Sequence, residues 1–186
     1  MKLHLSLTLL SLLVLNMHLF SQKTHVNPNL KTIIDFDQNH YFGQSTSGQW
    51  GLYNSDATYV IQANYDTLLP LCKVEFNPKT YYSKYIKTNY ILGRKGRKHS
   101  LFNIQGDHII TVDGIIPRLM ENNIVLVKKN GLWGLINISG EYILPIIADE
   151  IDWYDDMLSL RVNHKTVLFD AQKGELLDER NLYEIQ

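Results

Sequence analysis

One phrase occurs twice in this chain. Gly48-Gln49-Trp50-Gly51-Leu52-Tyr53-Asn54 returns as Gly131-Leu132-Trp133-Gly134-Leu135-Ile136-Asn137. An internal repeat constrains architecture more than any single residue does, because each copy is one supersecondary unit that buries its apolar face only against its neighbours. Residues that recur in every unit serve the unit and not a reaction. Two degenerate copies, Leu101-Phe102-Asn103 and Leu168-Phe169-Asp170, extend the series. The interval from Leu52 to Leu101 is 49 residues, followed by 34 to Leu135 and 33 to Leu168. These spacings describe a repeat of roughly 33 residues with an insertion in the first unit. An aliphatic pair follows each copy: Val60-Ile61, Ile109-Ile110, Ile143-Leu144 and Leu176-Leu177. Gly106, Gly140 and Gly174 occupy the intervening turn in the last three units, and Asp56 is read as filling it in the first. Tyr65-Asp66-Thr67-Leu68 resembles Ala148-Asp149-Glu150-Ile151 and reads as a connector.

The third unit predicts local structure most clearly. Ile124 to Lys128 is a β-rich run, and Asn130-Gly131 is a strong signal for a type I′ hairpin turn, which needs positive φ at both central residues. Leu132 to Ile138 returns as a second strand, Ser139-Gly140 turns again, and Tyr142-Ile143-Leu144 forms a third strand stopped by Pro145. No segment carries sustained helical periodicity. The expected fold is all-β: about four three-stranded meander units with connectors, stacked as an open solenoid or a partial propeller. The units fall near residues 41–72, 85–117, 122–152 and 157–180, with an insertion over 73–90. Strand alternation puts Trp133 and Leu135 on one face and Gly134 and Ile136 on the other. Glycine within a strand leaves room for a close neighbour, so Gly51 and Gly134 are expected to let units approach, with Trp50 and Trp133 holding them together. Trp133 is read as a core aromatic, and replacing it with Ala is expected to cost about 3–5 kcal/mol.

These residues resemble the WG-repeat family. The resemblance rests on Gly48-x-Trp50-Gly51-Leu52, on Gly131-x-Trp133-Gly134-Leu135-Ile136-Asn137-x-x-Gly140, and on the following Ile143-Leu144-Pro145. Clear matches cover about a third of the chain, and degenerate ones reach from Tyr41 to Leu177. Two units depart from the pattern: His99-Ser100 and Thr166-Val167 stand where Trp-Gly is expected. The resemblance implies an all-β scaffold of a kind common among bacterial exported and surface proteins. It implies interaction or scaffolding and carries over no catalytic residue.

The N-terminus begins Met1-Lys2-Leu3 and continues through the leucine-rich run up to Leu15. A positive start and a short apolar core predict a secretory signal over residues 1–21, cleaved after Ser21, with a lead-in segment over 22–40 and the repeat domain over 41–186. Asn16 and His18 interrupt the run too early for a membrane span of about 20 residues, so no span is expected after cleavage. Cys72 is the only cysteine, so the exported domain has no internal disulfide and relies on its core. Without residues 1–21 the chain carries 17 basic and 19 acidic side chains, a net −2 that argues against nucleic acid as a partner. The charges are unevenly placed: eight Lys or Arg against Glu75 alone between Lys73 and Lys98, then six acids and no base from Glu141 to Asp156.

Chemistry-bearing residues are sparse. His25, His40, His99, His108 and His164 lack metal-site spacing and read as exposed hairpin residues, so neither a metal nor a cofactor is expected. Cys72 has no local base and reads as a small buried residue. Gly93-Arg94-Lys95-Gly96 lacks the ending of a phosphate loop. The carboxylates over Asp149–Asp156 lack the layout of a calcium loop and read as a solvated connector. The insertion carries the most informative chemistry. Period-two alternation there puts Tyr82, Ile86, Tyr90 and Leu92 on one face and Tyr81, Tyr85 and Lys87 on the other. The candidate contact residues are Tyr81, Lys84, Tyr85, Lys87, Arg94, Lys95, Arg97 and Lys98, and repeat proteins often place unit-specific insertions on a binding face. The same lysines also suit protection of an exposed strand edge. The reading is a non-enzymatic, periplasmic or extracellular scaffold for a protein or an envelope component. The alternatives are a module for anionic glycans using Tyr81 and Tyr85, and a hydrolase using the Asp149–Asp156 carboxylates.

Overall fold

A computed structural model describes residues 29–77, 79, 82–154 and 157–177. The signal segment, Tyr81, Asp155 and Asp156 lie outside the described residues. The chain is all-β, with one short 3-10 turn, Glu121–Asn123, among the described residues. Four sheets follow one another. The first contains β1 (Leu30–Asp35), β2 (His40–Ser45), β3 (Trp50–Asn54) and β4 (Tyr59–Tyr65). The second contains β5 (Thr67–Asn77), β6 (Tyr82–Lys95), β7 (Lys98–Asn103) and β8 (His108–Val112). After β9 (Gly114–Ile115), β10 (Arg118–Leu119) returns to pair in parallel with β5. The third sheet then joins β9 to β11 (Ile124–Lys129), β12 (Leu132–Asn137) and β13 (Tyr142–Ala148). The fourth contains β14 (Glu150–Tyr154), β15 (Met157–Val162), β16 (Lys165–Asp170) and β17 (Glu175–Leu176).

Each sheet is therefore built on a four-stranded antiparallel meander, to which β10 adds a fifth, parallel strand in the second, and every copy of the repeated phrase is the meander's third strand. This revises the three-stranded unit: the stretches read as connectors begin the first strand of the next sheet. The segment read as a lead-in likewise contains β1. Asp66, Asp113 and Asp149 mark the three junctions. Their backbone N–H groups donate to the carbonyls of Arg94, Lys128 and Arg161 at 2.8, 2.9 and 2.8 Å.

Alternation along the strands fills three cores between successive sheets. Phe42, Leu52 and Ile61 of the first sheet meet Leu68, Ile91 and Phe102 of the second. Leu71, Leu92 and Leu101 meet Val125, Val127 and Ile136. Leu126, Leu135 and Leu144 meet Leu158, Leu160, Val167 and Phe169. Leu135 and Ile136 thus face opposite cores, as strand alternation requires. The first strands converge. Arg118, on the inner edge of the second sheet, stacks on Trp153 of the fourth sheet's first strand, 4.3 Å from the ring centre, although the third sheet lies between those layers in chain order. A linear stack would keep such residues apart, so the arrangement is propeller-like.

The Trp-Gly glycines do something other than join units. In the first sheet, Leu52 pairs with Ile61 and Trp50 with Tyr65, so one glycine faces a bulge of three residues. Leu135 with Leu144 and Trp133 with Ala148 repeat this geometry. A Cβ on Gly51 would lie 2.9 Å from both the Ala63 nitrogen and the Ile61 oxygen, and one on Gly134 2.9 Å from the Ile146 Cα. The glycine accommodates the bulged outer strand of its own sheet. In the second sheet the ladder runs in register at this point, Ser100 opposite Thr111, and a side chain fits there. The Ser100 and Thr111 hydroxyls hydrogen-bond at 2.8 Å. In the fourth sheet, among the described residues, β17 pairs only with Phe169 and Asp170, and the position occupied by glycine elsewhere is Val167. Trp50 and Trp133 are half-buried at the margins of their cores, so truncating Trp133 removes less than a fully buried ring. Lys128 covers Trp133 at 4.7 Å.

The close contact between sheets falls instead at the turn after the third strand. The Asn side chain ending that strand caps the turn: Asn54 Oδ1 accepts from the N–H of Asp56 and Thr58, and Asn137 Oδ1 from Ser139 and Glu141. Asn103 and Asp170 accept in the same way. Such side chains mimic a backbone turn. Three residues after the Asn stand Ala57, Gly106 and Gly140, whose N–H bonds back to the Asn carbonyl. Ala57, not Asp56, therefore fills this role in the first sheet. A Cβ on Gly106 would come 2.3 Å from the Val60 oxygen of the preceding sheet, and one on Gly140 3.2 Å from Ile109. Among the described residues no sheet precedes that of Ala57, which keeps its side chain at a φ of 61°. Gly106→Ala is expected to lose about 1–2 kcal/mol to the left-handed backbone and about 1–3 kcal/mol to overpacking. Ala57→Gly, at the same backbone position, costs nothing. Denaturant melts of both variants measure this, and a wild-type midpoint for Gly106→Ala would contradict the contact.

Candidate functional site

A meander sends alternate turns to opposite ends of a sheet. The turns between second and third strands share one rim with the sheet junctions; the remaining turns line the other. The candidate contact residues separate on this basis. Lys84, Tyr85 and Lys87 lie on an arm at one end of β6, and Arg94, Lys95, Arg97 and Lys98 at the other. At about 3.3 Å per residue the two groups are roughly 30 Å apart, so they form two surfaces and not one. Tyr81 lies outside the described residues.

The arm arises because β5 and β6 outrun their neighbours. β7 pairs with β6 only over Tyr90–Lys95, and β10 pairs with β5 only at Cys72 and Lys73. Beyond them, Val74 to Asn77 pair with Tyr82 to Tyr85 as two strands alone. An isolated two-stranded ribbon is marginal in water, and the base of this one is tied down. Thr88 Oγ1 donates to the Leu71 carbonyl at 2.6 Å. The Lys87 ammonium donates to the Phe36 carbonyl and lies 5.0 Å from that ring's centre. Tyr85 shares a face with Lys87 and Val74 and is 72% exposed, while Lys84 stands opposite Glu75 on the other face.

The junction rim is the surface that linear reading did not assemble. In sheets two to four, the hairpin turn and the two ladder pairs beside it carry eight bases: Arg94, Lys95, Arg97, Lys98, Lys128, Lys129, Arg161 and Lys165. The junctions supply four acids, Asp66, Asp113, Asp149 and Glu150. Asp66 Oδ2 accepts from the Gly96 N–H at 2.7 Å. Asp113 accepts from Lys98 and, at 2.7 Å, from the Asn130 N–H, joining the turns of sheets two and three. Glu150 pairs with Arg161. Arg94, Lys95, Arg97 and Lys129 are exposed and have no ion pair among the described residues. Asn130 and Gly131 adopt φ of 53° and 86°, as a type I′ turn requires.

The other candidates are structural. His99 is half-buried, not an exposed hairpin residue; its Nδ1 accepts from the Ile115 N–H at 3.0 Å across the sheet boundary. His108 Nε2 meets Thr111 Oγ1 at 2.7 Å, and His40 Nδ1 meets Asp37 at 3.0 Å. Among the described residues no three His, Cys, Asp or Glu side chains converge as a metal ion would need. Cys72 is half-buried, and burial pushes its thiol up while the Lys87 charge opposes that shift. Of the acidic stretch, Glu150 is engaged with Arg161, and Asp149 and Asp152 point to solvent. No helix among the described residues is long and apolar enough to cross a membrane.

No family model and no curated protein matches the chain. Among solved structures it is similar to the computationally designed Ika8 protein, at 12% identity and a TM-score of 0.34, covering 80% of this chain and 48% of that one. It is similar to Hsv2 of Kluyveromyces lactis at 14% identity and a TM-score of 0.38, covering 82% and 51%. It is similar to BamB from Moraxella catarrhalis at 7% identity and a TM-score of 0.34, covering 84% and 51%. The chain spans about half the length of each.

The Asp113 bridge has a pH signature. The hydrogen bond from Lys98 and then that from the Asn130 N–H hold its carboxyl below the ordinary 3.8. A depressed native value contributes stability that is present above the unfolded value and lost as pH falls through the native one. The difference in denaturant midpoint between wild type and Asp113→Asn is therefore expected to be full near neutrality and to close as pH drops below about 4. A difference constant down to about pH 2 would show that the bridge does not hold the charged form.

Proposed function

We propose that this protein is a non-enzymatic, exported scaffold of the WG-repeat type, and that the β5–β6 arm contacts a protein or envelope partner. The observation that carries this reading is Tyr85, 72% exposed on a two-stranded extension that the other three sheets lack. A rigid tyrosine offers contact area at low entropic cost, and Lys84 adds a cation on the opposite face of the same ribbon. Anchoring at Phe36 and Leu71 keeps the arm ordered before it meets a partner, which lowers the cost of binding. The glycan alternative needs an aromatic and an available cation on one face. Lys87, the cation beside Tyr85, is already committed to Phe36, so the protein reading is preferred.

The test is photocrosslinking in producing cells, with a benzophenone amino acid at position 85, at position 84, or at exposed Thr111 in the body of the second sheet. A discrete protein adduct is expected from 85 and 84 and not from 111. It should fade when Lys84→Glu is combined with the position-85 probe. Equal labelling from all three positions, or none from the arm, would remove the arm as the contact. Signal-sequence processing of the full chain in a secreting host tests export, and retention of an unprocessed chain in the cytoplasm would refute it.

A further inference from the structure

We infer that the junction rim carries a second site, an apolar cleft on the third sheet that takes one apolar side chain of an otherwise acidic peptide segment. The cleft, of about 320 Å³, is lined by Lys129, Asn130, Leu132, Tyr142, Pro145 and Ile146. It comes from the bulge in β13. Pro145, Ile146 and Ile147 stand opposite Gly134 alone, so the outer strand swings over the glycine. Pro145 has no N–H to give to the ladder, and Tyr142 leaves 53% of its surface exposed at one end of the recess. The first sheet repeats the bulge with different chemistry. Ala63 stands over Gly51 where Ile146 stands over Gly134, and Ser45 and Gln49 flank its turn where Lys129 and Leu132 flank this one. The second sheet is in register at that point, and among the described residues β17 in the fourth pairs only beside Phe169 and Asp170. The residues lining the recess thus belong to the third sheet, although the backbone device is shared with the first.

Charge selects the rest of the ligand. Lys129 sits at the mouth, and the Lys98–Asp113–Asn130 bridge brings the neighbouring turn, with Arg97, alongside it. Arg97, Lys95, Arg94 and Lys129 form an exposed basic margin with no ion pair among the described residues. Carboxylates flanking an apolar anchor suit this arrangement: complementary charge steers and orients the segment, and the buried side chain holds it. A membrane surface would call for apolar groups that project, and these are recessed. A nucleic acid would call for projecting aromatic platforms, and Leu132, Pro145 and Ile146 form an aliphatic recess. The site is separate from the arm and stands or falls without it.

Fluorescence anisotropy with the full chain tests the site. One probe is a labelled peptide of about ten Asp and Glu residues with a central Phe, and its partner has Ser in place of Phe. Saturable binding of the first is expected, with the second at least roughly fivefold weaker. Lys129→Glu with Arg97→Glu should weaken the first by about tenfold or more, and Tyr142→Ser by about threefold. Lys84→Glu with Tyr85→Ala, on the arm, should leave it unchanged, and thermal melts confirm that each variant is folded. Equal binding of the two peptides would overturn the cleft, as would insensitivity to the rim reversal. Tighter binding of a single-stranded oligonucleotide or of phosphatidylglycerol vesicles would overturn the peptide class. Loss of peptide binding on the arm variant would move the site away from the rim.

Discussion

A four-stranded sheet with apolar residues on both faces is unstable alone, and mutual cover is the constraint behind this architecture. Each inner sheet contributes alternate residues of the same strand to two cores, as Leu135 and Ile136 do in β12. The sheets must therefore come in sequence, each closing the face its predecessor leaves open. On the first described sheet, aromatic rings stack on the face away from the second sheet: Tyr41 and Tyr53 lie parallel with centroids 5.3 Å apart, and Tyr53 meets Tyr59 at 4.6 Å. On the fourth sheet the face away from the third mixes polar pairs, Asp152 opposite Ser159 and Glu150 opposite Arg161, with the exposed Leu168. The same constraint decides where glycine is obligatory. The turn after the third strand butts against the preceding sheet, so Gly106 and Gly140 carry no side chain, while Ala57, with no sheet before it among the described residues, carries one.

The Trp-Gly dipeptide has a different origin, and one of its two departures follows from that origin. Glycine is needed where the outer strand inserts a bulge, as opposite Gly51 and Gly134, and not where the ladder is regular. Ser100 is thus a local solution to a different outer strand and not decay of the motif. The bulge has a consequence beyond packing. It turns aliphatic side chains of the outer strand away from the ladder, and in the third sheet these become the wall of a recess.

Much of the fold was legible because its signals are local. The all-β class, the type I′ turn at Asn130-Gly131 and the equivalence of Asp66 with Asp149 all come from short patterns whose physics acts within a few residues. The fourth strand was not legible. Leu68-Leu69-Pro70-Leu71-Cys72 carries no alternation and contains proline, and it becomes a strand through contact with β6 and β10. Asp113 escaped notice because Val112 and Gly114 share nothing with the residues around Asp66 or Asp149, and only its backbone bond to Lys128 makes it equivalent. The candidate site was legible in part. Lys84 and Tyr85 were singled out and do project, but a run of bases contiguous in sequence was divided by the length of one strand. Lys129 was missed because it is one turn of an ordinary unit, and its neighbours in the rim come from other units.

That division shows how a near-neutral chain acquires a directional field. A sheet repeat with an even number of strands returns each kind of turn to the same rim. A preference for base at one turn position and acid at another therefore accumulates across units without changing net charge. The hairpin turns beside the junctions hold eight Lys or Arg in three sheets, whereas the opposite turns hold Asp35, Asp37, Asp56, Asp107, Glu121, Glu141, Asp170 and Glu175, the last two paired with Lys173. Within one rim such charges lie close enough to act together, and the breadth of the sheets keeps them beyond a Debye length of about 8–10 Å from the other rim. The arm crosses this pattern by carrying Lys84 and Lys87 to the acidic rim, on the unit whose length departs from the repeat. Lys87 stays at the arm's base, held by Phe36, so the charge that reaches outward is Lys84, on the face opposite Tyr85. Two basic surfaces of different shape thus sit on opposite rims: one an arm with tyrosine on one face and lysine on the other, the other a recess with lysine at its mouth.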